Sequence, residues 1–219
     1  MKFPLNEDCP VSIESKVLRL EGILHIPTYS KGIILFVHGS GSSRLSPRNQ
    51  YVAHVLNQAS FATLLFDLLN PEEEKQDTLT AELRFDIPFL ASRLLIATAW
   101  ISEQENLKKL PIAYFGASTG AAAAIVAAEQ HPESIKAIVS RGGRPDLAKT
   151  ALSKLETPIL LIVGENDAAV IDMNQEALSQ IQCMKDIKIV PGASHLFEEE
   201  GALEEVSLLA KKWFIQYLI

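Results

Sequence analysis

The stretch Ile112-Ala113-Tyr114-Phe115-Gly116-Ala117-Ser118-Thr119-Gly120, running on into the alanine-rich segment 121–129, decides how this chain is read. Its first residues are a short apolar run of strand type, the following segment is made of helix formers, and between them two glycines bracket a serine. A strand that turns into a helix around one serine forces that residue into a strained backbone conformation. Side chains at the flanking positions would collide with the neighbouring segment, so glycine is required there. The turn lifts the hydroxyl clear of the sheet. A chance G-x-S-x-G in a chain of this composition is roughly a one-in-twenty event, so the strand before it and the helix after it carry the inference.

Outward from this turn the pattern repeats. Buried apolar runs of strand length lie at 33–37, 62–66, 112–115, 135–139, 159–163 and 187–190, separated by helical stretches. Six strands in such alternation predict a mostly parallel central sheet with helices on both faces, an α/β fold. Residues 11–17 and 18–26 read instead as an antiparallel opening ribbon with a tight turn between them. Apolar spacing near 3.6 predicts helices over 49–59 and 84–104, and Leu203, Val206, Leu209, Ala210 and Trp213 place the final one. The helix opened by Ser118 should end near His131-Pro132, where proline breaks the ladder. The acidic run Glu72-Glu73-Glu74 reads as a solvated loop, and Glu198-Glu199-Glu200 as charge at a helix start.

Composition bounds the rest. At 219 residues and 47% hydrophobic content the chain supports one domain over 1–219, with no repeat or linker. A formal charge of −7, with no large Lys/Arg cluster, argues against a nucleic-acid partner. Cys9 and Cys183 show neither metal-ligand nor disulfide-framework spacing, and the first residues lack a signal-type apolar segment. The expectation is a cytoplasmic protein without membrane anchor, metal or cofactor. His25, His54 and His131 read as ordinary histidines.

The chemistry of an activated serine needs a base and an acid to orient it. Asp167, in Gly164-Glu165-Asn166-Asp167, and His195, in Pro191-Gly192-Ala193-Ser194-His195, each follow a predicted strand, so with Ser118 they reach one edge of the sheet. Glu165 is the reserve for the acid. The oxyanion of an acyl-transfer intermediate needs donors: the backbone N–H of Thr119 and, from the glycine-rich loop after the first parallel strand, that of Ser40. His38 reads as a buried residue that orders this loop.

Taken together, His38-Gly39, Gly116-Ala-Ser118-Thr-Gly120, Gly164-Glu-Asn-Asp167 and Gly192-Ala-Ser-His195 resemble the α/β-hydrolase superfamily, and most closely its small dienelactone-hydrolase-like branch. The resemblance covers the chain from about residue 17 onward, and it implies a hydrolase acting on an ester, lactone or thioester. Dienelactone hydrolases proper carry a cysteine where this chain has Ser118, a departure that leaves acyl transfer intact while the resemblance no longer specifies a dienelactone as substrate. The segments Gly39-Ser-Gly-Ser-Ser-Arg44, Ser46-Pro-Arg48-Asn49 and Ser140-Arg-Gly-Gly-Arg144-Pro-Asp146 also resemble hydrolase domains fused to phosphoribosyltransferases in some bacteria.

Only about twenty residues separate the strands ending at Val139 and starting at Ile159, too few for a lid domain. The site should be open, favouring a small-molecule substrate. Arg44, Arg48 and Arg141 fall near the same edge and are candidates to bind an anionic substrate group, with pairing to surface carboxylates as the competing role. Two other readings of the chain remain at this point: a small serine peptidase or acyltransferase, and a non-catalytic binding protein.

Overall fold

The computed structural model describes residues 3–15 and 18–219. One sheet of eight strands organises them: β1 (Asp8–Ser15), β2 (Leu18–His25), β3 (Ile33–Val37), β4 (Ala62–Phe66), β5 (Ile112–Ala117), β6 (Ile135–Arg141), β7 (Ile159–Gly164) and β8 (Lys185–Val190). Their order across the sheet is β1-β2-β4-β3-β5-β6-β7-β8. The last six strands run parallel, and β1, β2 and β4 are joined by antiparallel pairings. The predicted ribbon turn at residues 16 and 17 lies outside the described residues.

The helices are α1 (Pro47–Gln58), α2 (Pro71–Thr80), α3 (Ile87–Glu103), α4 (Thr119–Gln130), the single turn α5 (Ala151–Lys154), α6 (Ala168–Gln180) and α7 (Ala202–Leu218). Strands β3, β4, β5 and β7 are buried on both faces, which is why their sequences are apolar runs, broken only by Thr63 in β4. On one face Ile34, Phe36, Phe115 and Val139 pack against Val52 and Leu56 of α1 and Val206 and Phe214 of α7. On the other, Leu35, Tyr114 and Ile138 meet α3 and α4 through Leu94, Ala97, Ala123 and Ile125. The alanines of α4 let it lie close to the sheet.

Two local readings change. The acidic run 72–74 is not a loop but the first turn of α2. Asn70 accepts from the N–H groups of Glu72 and Glu73, and Glu73 accepts from the Asn70 N–H, a complete capping box with Pro71 at the first helical position. The three carboxylates sit where the helix dipole favours them. The helix predicted over 84–104 begins at Ile87, because Asp86 caps it through the Phe89 N–H and a 3₁₀ turn, Leu83–Phe85, precedes it.

No lid interrupts the fold. Between β6 and β7 stand a 3₁₀ turn, Pro145–Ala148, and the four residues of α5. Among the described residues, no helix is long and apolar enough to cross a membrane.

Candidate active site

The order of strand addition reverses at β3: the path steps from β3 to β4 on one side, then returns to β5 on the other. Loops leaving the C-terminal ends of β3 and β5 therefore diverge and open a crevice at this switch point. Ser118 lies there, at φ 50 and ψ −122, between the last residue of β5 and the first of α4. That is the strained backbone the sequence demanded. Both glycines are explained by close approach. A Cβ on Gly116 would lie 2.5 Å from the Ala121 Cα, and one on Gly120 would lie 2.1 Å from the Val37 carbonyl oxygen.

Asp167 and His195 come together. His195 Nδ1 and Asp167 Oδ2 are 2.6 Å apart, and the two residues stand in loops after β7 and β8. Asp167 occupies the N-cap position of α6 yet makes no capping bond with its side chain. A free Asp there would normally accept a helix N–H; this one is turned to the imidazole instead. Glu165, the reserve acid, is spent elsewhere: its Oε2 accepts the Gly192 N–H at 2.8 Å. Asn166 donates to Gly192 O through its side chain and to Ala193 O through its backbone, so the Asp loop and the His loop are tied into one unit. Close packing of Gly164, where a Cβ would fall 2.3 Å from Ala193 O, tightens the same junction.

The end of β6 links this unit to the serine. Arg141 O accepts the Ser118 N–H at 3.3 Å, and a Cβ on the next residue, Gly142, would lie 3.6 Å from His195 Cε1. Among the described residues the Ser118 hydroxyl has no hydrogen-bond partner. His195 Nε2 likewise has none.

On the other side, Gly39 abuts Ser118 so closely that a Cβ would come within 2.8 Å of Ser118 Cβ. His38 is buried and orders this loop, donating from Nδ1 to Gly39 O at 2.9 Å while Nε2 accepts the Leu68 N–H at 3.1 Å. Acceptance at Nε2 requires a neutral ring, and burial accordingly holds its pKa below the usual histidine value. Thr119, the first residue of α4, is buried, and its hydroxyl accepts the Ser40 N–H at 3.0 Å. Ser40 and Thr119 thus face each other over a narrow crevice that also meets Leu69, Asp77, Arg84 and Leu90.

The far wall of that crevice could not be read from the sequence. Buried Asp77, in α2, accepts from Arg84 Nε at 2.6 Å and from the Leu83 N–H at 2.7 Å, which staples the end of α2 to the turn after it. These contacts hold the Asp77 carboxyl below its usual range despite burial, which acts to raise it.

The three candidate arginines separate. Arg44 is paired with Asp67, which takes both its backbone N–H and a guanidinium N–H. It is a strut of the loop after β3, and the carboxylate-pairing role applies to it. Arg48 pairs with Glu198 at 2.9 Å, and Arg141 is buried beside Asn49. Among the described residues no group of three or more His, Cys, Asp or Glu side chains is placed to hold a metal ion.

A model described as the dienelactone hydrolase family matches residues 20–216. A dienelactone hydrolase from Anabaena variabilis has 55% sequence identity and a TM-score of 0.95, covering 97% of this chain and 99% of that one. Est1E from Butyrivibrio proteoclasticus shares the fold at a TM-score of 0.79 and 16% identity, over 94% of this chain and 98% of its own. A Mycobacterium tuberculosis protein named a putative phosphoribosyl transferase is 50% identical over 215 residues, which are 98% of this chain but 47% of that protein. The chain spans about half the length of the curated relatives it matches. With the family model extending from the second strand of the sheet into the last helix, the chain belongs to the dienelactone hydrolase family.

Proposed function

We propose that this protein is a serine hydrolase that cleaves a small, water-soluble ester, lactone or thioester through a Ser118 acyl-enzyme. One observation carries the reading: a serine held at φ 50 on the strand-to-helix turn stands at the same sheet edge as a 2.6 Å Asp167–His195 pair. In this reading Asp167 fixes the imidazole with its proton on Nδ1, leaving Nε2 to accept the Ser118 proton as Oγ attacks the acyl carbon. The open Nε2 suits this role, since catalytic contacts often tighten only when substrate displaces water. The imidazolium then protonates the leaving alcohol or thiol. Water, deprotonated by the same Nε2, hydrolyses the acyl-enzyme and returns the proton to Ser118. The name of the mycobacterial relative refers, on this proposal, to the half of that protein that this chain does not match.

Ser40 and Thr119 serve as the oxyanion donors through their backbone N–H groups. The Ser40 N–H is bonded to the Thr119 hydroxyl, which positions the loop, and an oxyanion must share or displace that bond. Thr119→Val keeps the shape and the helix N–H but removes that oxygen. It is expected to lower kcat about tenfold, less than the loss of a donor itself, with KM changed by no more than about twofold. Thr119→Ser should restore most of the rate. Steady-state kinetics on all three proteins checks this, and an unchanged kcat for the valine variant would remove the hydroxyl from the account.

Covalent labelling by a fluorophosphonate probe, lost in Ser118→Ala, tests the nucleophile. Hydrolysis of matched short esters, thioesters and lactones fixes the bond type. The open edge after β6 leaves no cover for a long apolar tail. With one leaving group and a series of acyl lengths, kcat/KM should decline well before about ten carbons, given a connecting segment this short. A preference for longer chains would contradict the open site.

A further inference from the structure

Helix α6 turns Val170, Asn174 and Ala177 toward the rest of the molecule, the spacing of an amphipathic helix whose middle position would ordinarily be apolar. Asn174 is fully buried there. Its Nδ2 donates to Gly143 O at 2.9 Å and to Val170 O, one turn back in its own helix, at 2.8 Å. Its Oδ1 is buried with no donor among the described residues. A leucine would fill the position without leaving a buried polar atom unpaired, a cost that tells against asparagine as mere packing. What asparagine adds is the bond to Gly143.

Gly143 lies in the turn 141–144 that leaves β6, and that turn holds both backbone groups of Ser118. The Ser118 N–H donates to Arg141 O at 3.3 Å, and Ser118 O accepts the Arg144 N–H at 3.0 Å. The path of the turn therefore fixes the backbone of the serine. It is closely packed: a Cβ on Gly143 would fall 1.9 Å from Ser140 Oγ and 2.7 Å from Ala121 Cβ, and Gly142 has φ 50. With no side chain at either glycine, the Gly143 carbonyl is gripped from outside, by Asn174. Asp167 is the N-cap residue of the same helix, α6. One helix thus carries the acid at its start and, about two turns on, the amide that grips the turn holding Ser118. We propose that Asn174 is a positioning residue for the reaction: its bond to Gly143 ties the helix of Asp167 to the turn that holds Ser118, and so sets the separation of His195 from the Ser118 hydroxyl. It touches no reacting atom. Misplacing a reacting group by about 1 Å can cost on the order of a hundredfold in rate, so one buried amide has leverage on turnover from a distance. The inference rests on the reading of Ser118 as the nucleophile.

Asn174→Leu removes the donor and keeps the size of the side chain. With p-nitrophenyl butyrate, kcat is expected to fall by about tenfold or more while KM stays within about twofold, and a fluorophosphonate should attach to Ser118 more slowly by a similar factor. Thr157→Val is the control for lost stability. The buried Thr157 hydroxyl donates to Ile135 O at 3.3 Å, at the opposite end of β6, so that variant should lose melting temperature but keep kcat. Should Asn174→Leu fail to fold, Asn174→Ala, which only empties space, carries the comparison. A smaller fall of kcat in the folded variant, a change confined to KM, or an equal fall in Thr157→Val would overturn the role. Failure of the nucleophile reading looks different: wild-type protein cleaves no ester and takes up no fluorophosphonate. Amide hydrogen exchange then decides. Measured against the amides of β3, the Arg144 N–H, which bonds Ser118 O, should exchange about tenfold faster in the Asn174 variant than in wild type. An unchanged exchange rate overturns the link between α6 and the turn.

Discussion

Replacing Ser118 by alanine, or His195 by alanine, is expected to lower kcat by about four orders of magnitude or more, because the members of such a triad act as a unit. The backbone should survive both changes. Alanine at 118 meets the same φ of 50 that serine already tolerates, and His195 stands in a partly exposed loop where its side chain bonds only Asp167. Melting temperatures within a few degrees of wild type, measured alongside kcat, would separate lost chemistry from lost structure. Asp167→Asn should be nearly as damaging, by roughly 10³–10⁴, since an amide beside Nδ1 permits the wrong tautomer. Glu165→Gln supplies the contrast, for its partner is the Gly192 N–H and an amide oxygen can accept that bond as well. Activity of Ser118→Ala within tenfold of wild type would end the assignment of the nucleophile.

The largest structural effect is expected at Gly120. An alanine Cβ there would fall 2.1 Å from Val37 O and 2.5 Å from His38 O, both backbone atoms at the end of β3. Neither can swing aside as a flexible side chain would. Strand β3 is paired on both sides, with β4 and β5, so relief must come from α4 lifting away from the sheet. Gly120→Ala should therefore cost about 3 kcal/mol or more, at the upper end of overpacking. Gly41 provides the comparison: it has φ 67 with open space around its Cβ direction, so alanine there should cost only about 1 kcal/mol from backbone strain. Urea unfolding of the two variants measures the difference. Equal stabilities would show that the approach of α4 to β3 is not rigid.

Much of this site was legible in the sequence because its signals are local. The elbow declares itself within nine residues, and each parallel strand is a self-contained apolar run. Asp167 and His195 were placed by their position just after two such runs. What escaped depends on contacts between distant segments. Whether Arg44 is a ligand or a strut turns on Asp67, which enters only when β4 lies beside β3. Arg141 and Arg44 look alike in the chain, and burial against α1 alone distinguishes them. The bond from Ser40 to Thr119 joins residues 79 apart. Residues 72–74 are of another kind, because Asn70-Pro71-Glu72-Glu73 holds a complete local helix start, so a run of acids there is a first turn and not merely solvated charge. The stapling of Asp77 to Arg84, seven residues on, depends on how the chain folds back after α2.

The bracing of the Asp167 loop against the His195 loop has a mechanical consequence. Glu165 and Asn166 grip Gly192 and Ala193, so Asp167 and His195 form a single plate, while Ser118 belongs to β5 and α4. The one strand between them is β6, whose last carbonyl holds the Ser118 N–H and whose following Gly142 lies against His195, so that strand sets the spacing between plate and turn.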